Sequence, residues 1–175
     1  MTAIKAAYVR WMERLYVACI VVCGATLVAI TLIIPLGVFM RYVMNDPLSW
    51  PEPASIIMMV VFSFLGAAAL YRANVHIAVE ALVRAVGPGL RSILLGAADL
   101  CMTATCLFMV GYGAQLCAAL WHQSIAEFPG LSVGLTYMPI PISGALTLLF
   151  ILERRWIGPP PRTSVMYRDQ PGAIE

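Results

Sequence analysis

The stretch LYVACIVVCGATLVAITLIIPLGVFM, residues 15–40, runs for 26 positions without a charged side chain. About 20 apolar residues suffice to cross the hydrocarbon core of a bilayer as a helix. The run follows Lys5, Arg10 and Arg14, a placement that resembles a signal peptide, but it is too long for the apolar core of one and is expected to remain as an anchor. The rest of the chain is of the same kind: 61% of its 175 residues are hydrophobic and 11% are charged, with a mean hydropathy of +0.86. Soluble domains carry about 25% charged residues. This chain has too little polar surface to face water, and it is too hydrophobic for a disordered chain.

Three further stretches qualify as spans: 54–71, 92–121 and 131–152. Pro35 lies within the first and removes one helix hydrogen bond, which predicts a local kink. The fold class expected is therefore an all-α membrane protein with four transmembrane helices. Orientation follows from the basic residues, because cytoplasmic loops hold the excess of Lys and Arg. The N-terminal tail (Lys5, Arg10, Arg14), the second loop (Arg72, Arg84, Arg91) and the C-terminal tail (Arg154, Arg155, Arg162, Arg168) hold ten of the eleven, and the first loop only Arg41. Both termini are expected inside. The formal charge of +2 is too small and scattered to suggest nucleic acid.

Within the second loop, Val75, Val79, Leu82, Val83 and Val86 recur at helical spacing, with His76, Glu80 and Arg84 on another side. This predicts a short amphipathic helix over 73–86 lying at the cytoplasmic face, stopped by Gly87, Pro88 and Gly89. Residues 1–155 then form one four-helix membrane domain, and the proline-rich residues 156–175 a flexible cytoplasmic tail.

Chemistry-bearing groups are few. His76 and His122 are the only histidines, and the topology places them at opposite membrane faces, about 30 Å apart, too far to share a haem. No third ligand converges for a metal. Five cysteines lie within apolar runs, without the C-x-x-C spacing of a redox or metal pair, and behave as small hydrophobes. A thiol oxidase would need cysteines in the outer loops, which have none. No catalytic, substrate-binding or metal residue and no cofactor is predicted. Asp99 is the one acid well within a span; pairing or packing accounts for it better than ion translocation, because a lone acid makes a poor relay. Gly66, Ala67, Ala68, Ala69, Gly111 and Gly113 allow close helix approach, within the bundle or against another membrane subunit.

The segment RYVMNDPLSWPEPASIIMMVVFSFLGAAALYRANVHIAVEALV, residues 41–83, read as a unit, resembles the signature of the small membrane subunit of TRAP (tripartite ATP-independent periplasmic) transporters, the DctQ-type family. The resemblance rests on Arg41-Tyr42, on Leu48-Ser49-Trp50 with Glu52, on Gly66-Ala67-Ala68, on Arg72, and on His76 through Glu80; MPIPISG at 138–144 is similar to the start of the family's fourth span. Pro53 stands where the family often has a second acid, and Glu80 where it often has Asp. The resemblance implies an accessory subunit in the bacterial inner membrane that carries no substrate site itself. It implies a large permease subunit as partner, a periplasmic substrate-binding protein that delivers a small organic anion, and contact with membrane lipids. Arg41, Trp50, Glu52, Gly66, Arg72, His76, Glu80 and Asp99 are the structural or partner-interface candidates. A membrane anchor or quinone-site subunit of a respiratory enzyme is the alternative.

Overall fold

The computed structural model describes residues 3–73 and 88–156. The amphipathic segment expected at 73–86 and the tail at 156–175 fall almost wholly outside them. Four long helices carry the architecture: α1 (Ala3–Tyr42), α2 (Pro51–Arg72), α3 (Pro88–Ala119) and, after a short hairpin of β1 (Ser124–Ile125) and β2 (Phe128–Ser132) and a single turn α4 (Val133–Thr136), α5 (Pro139–Trp156). All four long segments, α5 together with α4, are long and apolar enough to cross a membrane. The protein is an all-α membrane protein, its two strands confined to one loop.

The helices outrun the uncharged stretches that reveal them. α1 starts at Ala3, twelve residues ahead of Leu15, because Lys5, Arg10 and Arg14 are good helix formers and a charge ends a span without ending a helix. It also continues through Pro35 to Tyr42. Proline opens α2 at Pro51, α3 at Pro88 and α5 at Pro139, since its missing N–H falls among donors that have no partner in a first turn. Tyr42 is followed by Asn45 at φ 52°, a left-handed conformation that asparagine tolerates, and the Asp46 N–H turns back to the Met40 carbonyl at 3.1 Å.

These helices form a single layer. α1 packs on α2, α2 on α5 and α5 on α3, while α1 touches α5 only slightly and α3 meets the rest chiefly through α5. Burial follows that order. In α1 the residues turned inward are Met12, Tyr16 and Cys19, then, less deeply, Cys23, Thr26, Ile30, Ile33 and Gly37. This is the alternating three-four spacing of a one-partner seam. Within the most apolar window of each helix, 11% of α1 and 6% of α3 is buried, against 22% of α2 and 28% of the last span. α1 and α3 are thus edges, and the remaining apolar circumference, such as Val21, Val28, Leu32, Leu100 and Leu107, has the composition for lipid. Hydroxyls hide from lipid on their own helix: Thr31, Ser55, Thr103, Thr105 and Thr147 each donate to the carbonyl four residues back, at 2.7–2.9 Å.

Glycine sets the approach of α3 to the last span. A Cβ on Gly144 would come within 3.1 Å of the Cys106 carbonyl and the Met109 side chain, and one on Gly113 within 3.1 Å of Pro141. Gly111, by contrast, faces open space. The tightest point is Gly134, where an added Cβ would collide with the Cys117 carbonyl and stand 3.0 Å from the Trp121 Cα. Ser132 caps this turn, its hydroxyl donating to the Trp121 carbonyl at 2.6 Å and accepting from the Gly134 N–H at 3.1 Å. The hairpin is thereby locked onto the end of α3.

Candidate functional site

The best-packed region lies at the end of the layer where α1 begins and α5 finishes. There Met12, Tyr16 and Cys19 of α1, Ala68, Ala69 and Tyr71 of α2, Cys106 of α3, and Phe150 and Ile151 of α5 form one buried cluster. The Tyr8 hydroxyl donates to the Leu149 carbonyl at 3.1 Å, and its ring meets Trp156 edge-on. The first and last helices are tied at this end.

Inside it sits a charge. Arg72, the last residue of α2, has a side chain only 2% exposed. Its Nε and Nη2 donate to the two carboxylate oxygens of Glu153 at 2.9 and 3.0 Å, and its Nη1 donates to Glu13 at 3.0 Å. The guanidinium lies 5.2 Å from the centre of the Tyr16 ring and 5.5 Å from that of Phe150, the distance range of cation–π attraction. Arginine suits the place because its planar fork meets a carboxylate with two parallel bonds and keeps its proton. Glu153 is as buried as the arginine, whereas the Glu13 side chain is 24% exposed and can reach water. One cation thus links three helices from three separate parts of the chain. Asp99 on α3 meets Arg155 on α5 at 3.4 Å, in a pair whose arginine is 62% exposed.

The opposite end of the α1–α2 pair is open. A groove of about 680 Å³ lies between the two helices, with Arg41, Leu48 and Glu52 at its mouth and Leu27, Phe62 and Ser63 at its floor. Pro51 approaches Gly37 here. Glu52 is in the first turn of α2, and Trp50, half-buried, precedes it without a side-chain cap. Among the described residues neither Arg41 nor Glu52 has an ion pair.

The candidates named from sequence therefore do not converge. Arg41 and Glu52 share the groove, with Trp50 beside it; Gly66 lies mid-helix against the Cys23 sulfur of α1; Arg72 belongs to the other end, about 32 Å from Pro51 at 1.5 Å per residue, and Asp99 pairs with Arg155 near the end of α5. His76 and Glu80 lie outside the described residues. Glu13, Tyr16, Phe150, Glu153 and Arg155 join the site without belonging to any motif in the sequence. Their only sequence signal is that Glu13, Arg72 and Glu153 are charges of opposite sign at the ends of spans that finish on one side of the membrane. Among the described residues no group of three or more His, Cys, Asp or Glu could hold a metal ion.

Fold and site together define a class: a multi-pass helical membrane protein in which a buried arginine–carboxylate cluster binds helix to helix. Comparison with known proteins makes this specific. Residues 27–157 match the family described as the DctQ component of tripartite ATP-independent periplasmic transporters, and the chain belongs to that family. It is 28% identical over 134 residues, 77% of its own length and 83% of the relative's, to a Haemophilus influenzae protein named "Putative TRAP transporter small permease protein". The protein is accordingly a small-subunit transport component, a multi-pass protein of the bacterial inner membrane.

Proposed function

We propose that this chain is the accessory subunit that holds a large permease subunit in place for ion-coupled uptake of a small organic anion delivered by a periplasmic binding protein. The observation that carries the reading is the single-layer arrangement of the helices. Alternating access needs a site closed in turn by two bodies around a midplane cavity. A one-layer row bonded through Arg72 is one body, and its apolar faces suit the flank of a larger helical partner. Family membership supports the nature of that partner. The excess of Lys and Arg in the two tails and the second loop supports an orientation with both termini in the cytoplasm.

Deletion of the gene should abolish uptake of the organic acid in cells while the soluble binding protein keeps its affinity, and this chain reconstituted alone should transport nothing. Transport by the isolated chain would overturn the reading. Stoichiometric quinone or haem in the purified protein would instead favour a respiratory anchor.

A further inference from the structure

We infer that the groove between α1 and α2 is a binding site for one phospholipid bearing a protonated amine, of the phosphatidylethanolamine class. Depth is the first argument. From Leu27 at the floor to Arg41 at the mouth, fourteen steps of about 1.5 Å give about 21 Å of helix, whereas one leaflet of the hydrocarbon core is about 15 Å thick. The groove therefore reaches from headgroup level to about the bilayer midplane. There it stops: the Cys23 thiol rests 3.7 Å from the Phe62 carbonyl, and Gly66 brings α2 against the same sulfur. A spanning helix of a partner would need a channel through both leaflets. An acyl chain needs only one.

Chemistry along the groove changes with depth as a lipid's does. Its walls are apolar side chains left exposed, Ile34, Val38, Ile56 and Met59 among them. Its mouth carries one guanidinium, Arg41, and one carboxylate, Glu52, both exposed and both without an ion pair among the described residues. A guanidinium takes a phosphate diester through paired charge-assisted bonds. The carboxylate, acceptor-only when ionised, then calls for a cation with N–H donors a few bonds from that phosphate. An ethanolamine headgroup supplies both in one molecule. A glycerol headgroup has no cation, and a choline headgroup has no N–H to donate.

The full-length protein, purified in mild detergent and exposed to an equimolar mixture of phosphatidylethanolamine, phosphatidylglycerol and phosphatidylcholine, should retain the first preferentially in native mass spectrometry. A charge-assisted hydrogen bond gained or lost corresponds to about tenfold in retention. Glu52→Gln should remove the preference for ethanolamine while leaving phospholipid binding. Arg41→Gln should lower retention of all three, and Ile56→Trp, which fills the groove and leaves both charges, should do the same. A phosphatidylethanolamine with a photoreactive acyl chain should label peptides from residues 27–38 and 56–63. Equal retention of the three lipids by the unaltered protein, an intact preference in Glu52→Gln, or labelling confined to other surfaces would overturn the proposal. So would a photoreactive side chain at position 59 that captures only protein in native membranes.

Discussion

Replacing Arg72 by methionine tests the central packing argument most sharply. The change keeps a long flexible side chain between Tyr16 and Phe150 but removes three charge-assisted hydrogen bonds of 2.9–3.0 Å. The loss itself is not the main cost, since burying the ions in the first place is expensive. Glu153, whose side chain is 3% exposed, would be left as a buried charge without its bidentate partner. Breaking a buried pair in this way costs about 3–5 kcal/mol. For a chain of this size that corresponds to a fall in melting temperature on the order of 10 °C. Glu13→Gln, removing an acceptor that can already reach water, should cost about 1 kcal/mol. The decisive variant is the double change Arg72→Met with Glu153→Gln, which leaves no uncompensated charge in the core and should recover most of the single loss. Thermal unfolding in detergent of the parent, Arg72→Met, Glu153→Gln and the double variant, followed by monodisperse recovery on size exclusion, completes the cycle. If the Arg72 and Glu153 effects simply add, or if Arg72→Met melts like the parent, the cluster is not the buried link between helices described above.

Three other expectations concern separate parts of the molecule. Gly134→Ala should destabilise the α3–hairpin junction by about 1–3 kcal/mol, because the new methyl meets the Cys117 carbonyl and the Trp121 backbone; Gly111→Ala, facing open space, should be neutral, and the difference between the two is read by thermal unfolding. Asp99→Asn should change stability by no more than about 1 kcal/mol and leave uptake intact, as the Arg155 partner is largely exposed; loss of uptake with normal assembly would instead give Asp99 a part in transport. Reporter fusions after Asp46 and Glu127 should be active on the periplasmic side and one after Arg162 on the cytoplasmic side, with the reverse pattern refuting the orientation inferred from Lys and Arg.

What could be read from the sequence was set by the range of each interaction. Hydropathy is local, so the four spans were legible, and the charge-free run 15–40 was enough to make the first one plain. Helix ends were less so, because a hydropathy window registers the residues that suit lipid and α1 continues past them to Ala3. The stretch beginning at Leu131 reads as one apolar run, yet the chain spends Phe128–Ser132 in a strand and Val133–Thr136 in a separate turn before α5; Gly134, Pro139 and Pro141 divide it in ways composition averages away. Arg72 was picked out by its place in a motif. Its partners were not, since they lie 59 and 81 residues away and only the order of helices in the row brings them near. The same holds for the groove, whose two charges flank a loop in the chain and whose depth depends on how α1 and α2 diverge.

The spatial order α1–α2–α5–α3 also bears on how the protein is made. Synthesis delivers the hairpin of α1 and α2 first, then α3, and only at the end the helix that belongs between them. Until then α3 has no main neighbour and must reside in lipid alone, which its apolar circumference permits. During the same interval Arg72 has Glu13 as its sole acid from this cluster, because Glu153 has not yet left the ribosome. Insertion of the final helix is thus a wedging step that closes the row and completes the ion pairs of Arg72 together, and a chain truncated before Pro139 would be left with two separate pieces in the membrane rather than a smaller version of the same layer.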